Sequence, residues 1–222
     1  MITRREFLEG VGALALVGSA VATIGETAWA APAAPAAPQT VSMEELLAPG
    51  PLPDQALGAA DAPVTIIEYA SMTCPHCASF HETTYPELKK RYIDTGKVRF
   101  IFREFPLDPL AAAGSMLARC AGEGKYFPMI ETLFHQQKTW AVQKPLPPLQ
   151  AIAKQAGFTQ QNFEQCLDNR KLLEDIEKVR ERAATKFGVN STPTLFVNGK
   201  RMPAGAMTIQ DLEKEIQAYL KS

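Results

Sequence analysis

The sequence predicts an α/β domain in which a small sheet is interrupted by an all-helical insertion. Three observations carry this. Two short apolar runs, VTIIEYA (64–70) and VRFIFREF (98–105), flank a stretch with helical character. From Asp108 to Gly188 the apolar residues recur at helical spacing. The chain then closes with the strand-like TLFV (194–197), an Asn198-Gly199 turn and an amphipathic helix.

Taken in order, the first 30 residues read as an export signal. Arg4-Arg5 form a basic start, a mostly apolar run follows from Val11 to Ile24, and Ala28-Trp29-Ala30 is a small-x-small cleavage site, so cleavage is expected after Ala30. The opening TRREFLE resembles the twin-arginine signal but has Glu9 where lysine is usual. The competing reading, an uncleaved anchor, is disfavoured because Gly12 and Gly18 break a run already short for a span of roughly 20 residues. Residues 31–60 read as a tether: APAAPAAPQT is biased to extended conformations. Within it SMEELL begins a short helix, with Ser42 and Glu45 at capping-box spacing. The folded domain is expected over 61–222.

VTIIEYA has the nearly continuous apolar pattern of a strand buried on both faces, and VRFIFREF is rich in β-branched and aromatic residues. The helix between them should be interrupted near Pro86. Together they make a βαβ unit, with a right-handed crossover. LAAAGSMLARCAGE, GKYFPMIETLFHQ, LQAIAKQAG, TQQNFEQCLDN and RKLLEDIEKVRERAATKFG each read as helices of the insertion, which covers about 108–188. Asn198-Gly199 is a hairpin signal, and Thr208 is the expected N-cap of the last helix.

The chain has 222 residues, 46% hydrophobic content and a net charge of −1, enough for one sizeable core. It lacks the basic patch of a nucleic-acid binder. All four cysteines lie beyond the signal, an even count suited to an oxidising compartment.

The chemistry concentrates in Cys74-Pro75-His76-Cys77, where the first strand ends and a helix begins. A helix N-terminus offers free N–H groups and the positive end of the dipole, which favour a thiolate. Pro75 suits the first helical turn, and His76 adds a donor beside Cys74. Cys74 is the expected nucleophile and Cys77, one turn on, the resolving thiol. A stabilised thiolate favours the reduced state and makes the disulfide an oxidant. A zinc site from Cys74, His76, Cys77 and His81 is the rival reading, but the adjacency of His76 and Cys77 makes tetrahedral convergence awkward and no second CxxC follows. A structural disulfide would close too small a loop to restrain the unfolded chain strongly.

CPHC after VTIIEYA, together with the distant TPTLFVNGK, resembles the DsbA-like thiol–disulfide oxidoreductases of the bacterial envelope, over roughly Asp61 to Ser222. The resemblance implies a thioredoxin-like fold with an inserted helical domain and a periplasmic location. It also implies a cis Thr192-Pro193 peptide against the disulfide, where the Thr192 backbone pairs with an extended substrate. No cofactor and no metal are implied. The implied partners are exported cysteine-bearing proteins and a DsbB-like membrane reoxidant, and a monomer is expected. Threonine before this proline is more typical of the isomerase branch, which leaves an isomerase or reductase as the alternative within the fold. A non-catalytic client-binding module is the alternative from another class.

Glu68 shares a strand face with Val64 and Ile66, and a carboxyl there is suited to shuttle protons for Cys77. The family's buried acid occupies the matching place; the rival reading is a strand-end glutamate that reaches water. Cys120 and Cys166 remain as a second, structural disulfide, and closing that loop is worth about 4 kcal/mol in the chain-entropy model. His81 is read as a solvent-facing helix residue and His135 as a helix-terminal one.

Overall fold

The computed structural model describes residues 39–205 and 207–221. The expected export signal and the Ala/Pro stretch up to residue 38 lie outside the described residues.

The folded body begins well before the expected boundary at Asp61. Thr40 bridges to Lys200, and α1 (Met43–Leu47) buries Leu46 completely. The Ser42 side chain caps α1 by accepting from the Glu45 amide. Strand β1 (Gln55–Leu57) then pairs antiparallel with the edge of the sheet. Its three residues sit between PGPLPD and GAADAP, where turn-forming residues hide so short an element.

Among the described residues, five strands form one sheet in the order β1-β3-β2-β4-β5. Strand β2 (Val64–Ala70) is central and buried along its whole length, as its unbroken apolar run requires. It runs parallel to β3 (Val98–Glu104) and antiparallel to β4 (Thr194–Val197). β4 turns through Asn198 (φ 44°) and Gly199 (φ 85°) into β5 (Lys200–Arg201), the two left-handed residues that a tight hairpin demands. The β2–β3 crossover contains α2 (Pro75–Thr83), α3 (Tyr85–Leu88) and a π-helical turn (Lys89–Ile93). The helix divides at Thr84, two residues before Pro86, whose ring cannot enter an uninterrupted helix.

Between β3 and β4 run α4 (Pro109–Cys120), α5 (Tyr126–His135), α6 (Gln137–Trp140), α7 (Leu146–Gln155), α8 (Gln160–Leu167) and α9 (Arg170–Phe187). α6 has only four residues, too few for a periodic pattern. Helix α10 (Ile209–Leu220) ends the chain, with Thr208 and Asp211 forming a reciprocal capping box.

The strand alternation divides the core between the two faces of the sheet. Val64, Ile66, Phe100 and Phe102 face α2, α3, α10 and most of the insertion. Ile67, Tyr69, Ile101 and Phe196 pack against α1 and the end of α9, through Leu46, Ala183 and Phe187. Two charge clusters built on the buried Arg103 and Glu104 lock the insertion and the N-terminal segment to the end of β3. Glu104 receives Arg119 at 2.6 and 2.8 Å and the Tyr126 hydroxyl at 2.7 Å. Arg103 donates to Asp54, the Tyr69 hydroxyl and the Leu46 carbonyl. A disulfide joins Cys120 of α4 to Cys166 of α8, wholly within the insertion.

Candidate active site

Cys74 is the N-cap of α2 and Pro75 its first residue. Proline fits there because no intrahelical N–H is needed and its φ is already helical. The cap has no side-chain hydrogen bond, so the first-turn amides remain directed at the Cys74 sulfur. Both active-site cysteines are reduced. Cys74 is 6% exposed and Cys77 fully buried.

The two thiols are electrostatically unlike. Cys74 is lowered from 9.0 to about 5, foremost by a hydrogen bond from the Cys77 thiol, then against the cost of burial by Thr192 and the amides of Cys77 and His76. Cys77 is pushed well above the usual thiol range by burial, by its bond to Cys74 and by the nearby Glu68 charge. One sulfur therefore carries the charge and the other the proton.

The Thr192-Pro193 peptide is cis, and the Thr192 carbonyl oxygen lies 3.3 Å from Cys74 Sγ. The structure thus brings Cys74, Cys77 and Thr192 together, with Pro193 beside them. Pro75 and His76 are exposed on the outer side of the same turn. Exposure of His76 and burial of His81 point the two imidazoles in different directions, so the His76–His81 zinc quartet does not converge.

Glu68 is fully buried, which removes the reading of a glutamate reaching water. Its neighbours across the sheet are Phe102 on β3 and Leu195 on β4. His81 corrects the expectation of a solvent-facing residue: it is 3% exposed and its Nε2 lies 2.9 Å from Glu68 Oε2. The sequence signal was present, since His81 is four residues from Cys77 and so shares its helix face. His135 is exposed at the end of α5.

Other site residues carry no motif. Gln137 on α6 is buried and its Nε2 donates to the carbonyls of Met72 and Cys74 at 2.8 and 3.0 Å. Thr73 donates to Asp108 at 2.5 Å, while Asp108 also caps α4 through the Ala111 amide. Ser71 accepts from the Leu107 amide at 3.3 Å. The insertion therefore holds the turn 71–74 from two sides. Gly114 of α4 permits the close approach: a Cβ there would sit 3.2 Å from Met72 and 3.3 Å from Trp140. Next to Leu107, itself 51% exposed, an open groove of about 730 Å³ runs between α4 and α9, floored by Ala112, Met116 and Leu173.

The chain is similar to several known proteins. A family profile described as Thioredoxin matches residues 52–218. A Rickettsia bellii protein whose name describes a protein-disulfide oxidoreductase is 35% identical over 148 residues, 66% of this chain and 57% of that protein. Disulfide bond formation protein D of Bacillus subtilis is 29% identical over 153 residues, covering 65% and 67%. The chain thus spans a little over half the length of the Rickettsia relative. Among solved structures, alpha-DsbA1 of Wolbachia pipientis superposes with a TM-score of 0.74 at 34% identity, covering 80% of this chain and 96% of that one. BdbD of Bacillus subtilis follows with a TM-score of 0.65 at 26% identity, covering 84% and 98%. With a thioredoxin profile across most of its length and a low-pKa CPHC turn facing a cis-proline loop, the chain belongs to the DsbA-like thiol–disulfide oxidoreductases of the thioredoxin family.

Proposed function

We propose that this protein is an exported thiol–disulfide oxidoreductase that donates the Cys74–Cys77 disulfide to cysteine-bearing proteins in the periplasm. The observation that carries the reading is the contrast between the thiols: Cys74 lowered to about 5 and Cys77 raised. A dithiol that keeps its charge so easily favours the reduced state, and its disulfide is an oxidant.

A substrate thiolate attacks Cys74 Sγ, forming the mixed disulfide and breaking the Cys74–Cys77 bond. The electron pair goes to Cys77 Sγ, which takes a proton because its buried site resists charge. Glu68 is the proton source, and returns to the acid form when the cycle reverses. A second substrate thiolate then attacks the substrate sulfur of the mixed disulfide, expelling Cys74 as a thiolate. The Thr192 carbonyl and Pro193 line the cleft where an extended substrate segment would lie. A membrane partner of DsbB type would restore the disulfide; no metal or organic cofactor enters the cycle.

Equilibration of the CPHC pair in glutathione buffers tests the direction. A potential less negative than about −200 mV is expected; a value near or below about −270 mV would place the protein among reductants and overturn the donor role. Thr192 before the cis proline favours a second reading, an isomerase, which predicts a dimer in sedimentation and reshuffling of a scrambled substrate by the reduced protein.

A further inference from the structure

Beneath the reactive turn lies a polar pair of which the proposed redox chemistry uses one member, Glu68. Glu68 on β2 and His81 on α2 meet inside the core at 2.9 Å, both essentially without solvent contact. The imidazole is enclosed by rings: Phe134 stacks on it with centroids 4.4 Å apart, Tyr85 lies at 4.7 Å, Phe80 at 5.5 Å and Phe102 at 5.9 Å. Among the described residues, Glu68 Oε1 and His81 Nδ1 make no hydrogen bond within the protein. The pair is therefore joined by one hydrogen bond, Nε2 to Oε2, inside a shell of aromatic rings.

That single bond defines the tautomer. A buried N–H without an acceptor is costlier than a bare ring nitrogen, so Nδ1 is the bare nitrogen and Nε2 carries the hydrogen. His81 then donates to Oε2, and the carboxyl can present only Oε1 for proton exchange. Both cross-strand neighbours of Glu68, Phe102 and Leu195, are apolar and cannot hold the carboxyl in their place. Cys77 and His81 stand one turn apart on α2, so the helix that carries the resolving thiol also carries the group that orients its proton source. A polar pair serving packing alone could be replaced by well-packed apolar side chains at no loss of stability. Glu68 is near enough for its charge to act on Cys77, and next to a thiol that must gain and lose a proton the pair has a chemical use.

We propose that His81 is the positioning residue of the proton transfer to Cys77: its Nε2–H anchors Glu68 Oε2, turning Oε1 into the atom that exchanges the proton. When the Cys74–Cys77 bond breaks, the proton passes from Glu68 Oε1 to Cys77 Sγ and the carboxylate left behind keeps the Nε2–H···Oε2 bond. On reoxidation the same carboxylate removes the Cys77 proton as its sulfur attacks the partner's mixed disulfide at Cys74. The inference rests on the proposed thiol–disulfide exchange at Cys74–Cys77.

Single-turnover oxidation of a reduced dithiol peptide by the oxidised full chain tests it, comparing Glu68→Gln, His81→Leu, His81→Gln and the Glu68→Gln/His81→Leu double variant. Glu68→Gln and His81→Leu should each slow the reaction about tenfold or more, within the range of a lost general acid. The double variant should be no slower than the slower single, because both remove one function. His81→Gln, which keeps an N–H donor, should recover to within about threefold of wild type. The iodoacetamide reactivity of Cys74 in the reduced proteins should not change, since the α2 N-terminus is untouched. If His81→Leu does not fold, His81→Asn, whose amide is too short to reach Glu68, replaces it with the same expectation. Wild-type rates in the donor-less His81 variant, or multiplicative losses in the double variant, would overturn the inference. A wild-type chain that fails to oxidise the peptide would overturn the proposed function itself.

Discussion

Replacing Cys77 with alanine isolates the largest contribution to the Cys74 thiolate. The hydrogen bond from the Cys77 thiol stands first among the causes that lower Cys74 from 9.0 to about 5, ahead of Thr192 and the two helix amides. A hydrogen bond to a charged group is worth about 1.5–3 kcal/mol, and one pKa unit corresponds to about 1.4 kcal/mol. Cys77→Ala keeps the site as buried and the amides in place, so Cys74 should rise by about one to two units, to roughly 6–7. Cys120 and Cys166 are disulfide-bonded, which leaves Cys74 as the single titrating thiol in the variant. The assay is the rate of iodoacetamide alkylation between pH 3 and 9, read as the midpoint of the profile. The amplitude is a poorer guide, because intrinsic nucleophilicity falls as a thiol becomes more acidic. A midpoint unchanged at about 5 in Cys77→Ala would show that the helix terminus alone holds the charge. A wild-type midpoint near 8.5 would refute the thiolate altogether.

Four further outcomes are expected. The reduced form should be the more stable one at neutral pH, by a margin that shrinks with acid. The sign follows from a lowered folded-state pKa: the Cys74 contribution is fully present above the unfolded thiol value near 8.5 and is lost as pH falls through about 5. Its ceiling is about 5 kcal/mol, reduced to about 2–3 by screening at the cleft surface, and urea unfolding of both redox forms between pH 4 and 8 measures it. Gln137→Leu should lower stability by about 1–3 kcal/mol in urea, because the Met72 and Cys74 carbonyls lose a buried donor. Arg119→Met should cost about 3–5 kcal/mol in the same measurement by stranding the fully buried Glu104, whereas an exposed pair such as Lys89–Asp94 should contribute under about 1 kcal/mol. The Cys120→Ala/Cys166→Ala pair, opening a loop with a separation of 46 residues, should lose up to about 4 kcal/mol and leave the Cys74 alkylation midpoint unchanged.

Much of this molecule is readable along the chain, wherever a property is local. A run such as VTIIEYA has no polar alternation to expose, so it becomes a strand covered on both faces. Cys74 and Pro75 share a helix N-terminus because proline is tolerated there and a free amide is useful to a thiolate. Ser42, Thr208 and Asn198-Gly199 each satisfy orphan backbone groups or supply left-handed residues within four positions of themselves, and each is found in that role. Tertiary structure decided everything that depends on two distant segments meeting. β1 has too few residues to show a period and exists as a strand because the edge of β3 offers it hydrogen bonds. Gln137 is one glutamine among several until the insertion lays it beneath the turn 71–74. Glu68 and His81 show the division most clearly. Their helix and strand positions follow from the sequence, but a hydrogen bond thirteen residues apart needs α2 to pack over β2 at one register. Whether that histidine meets water or a buried carboxyl is a question of packing, and packing is a property of the whole chain.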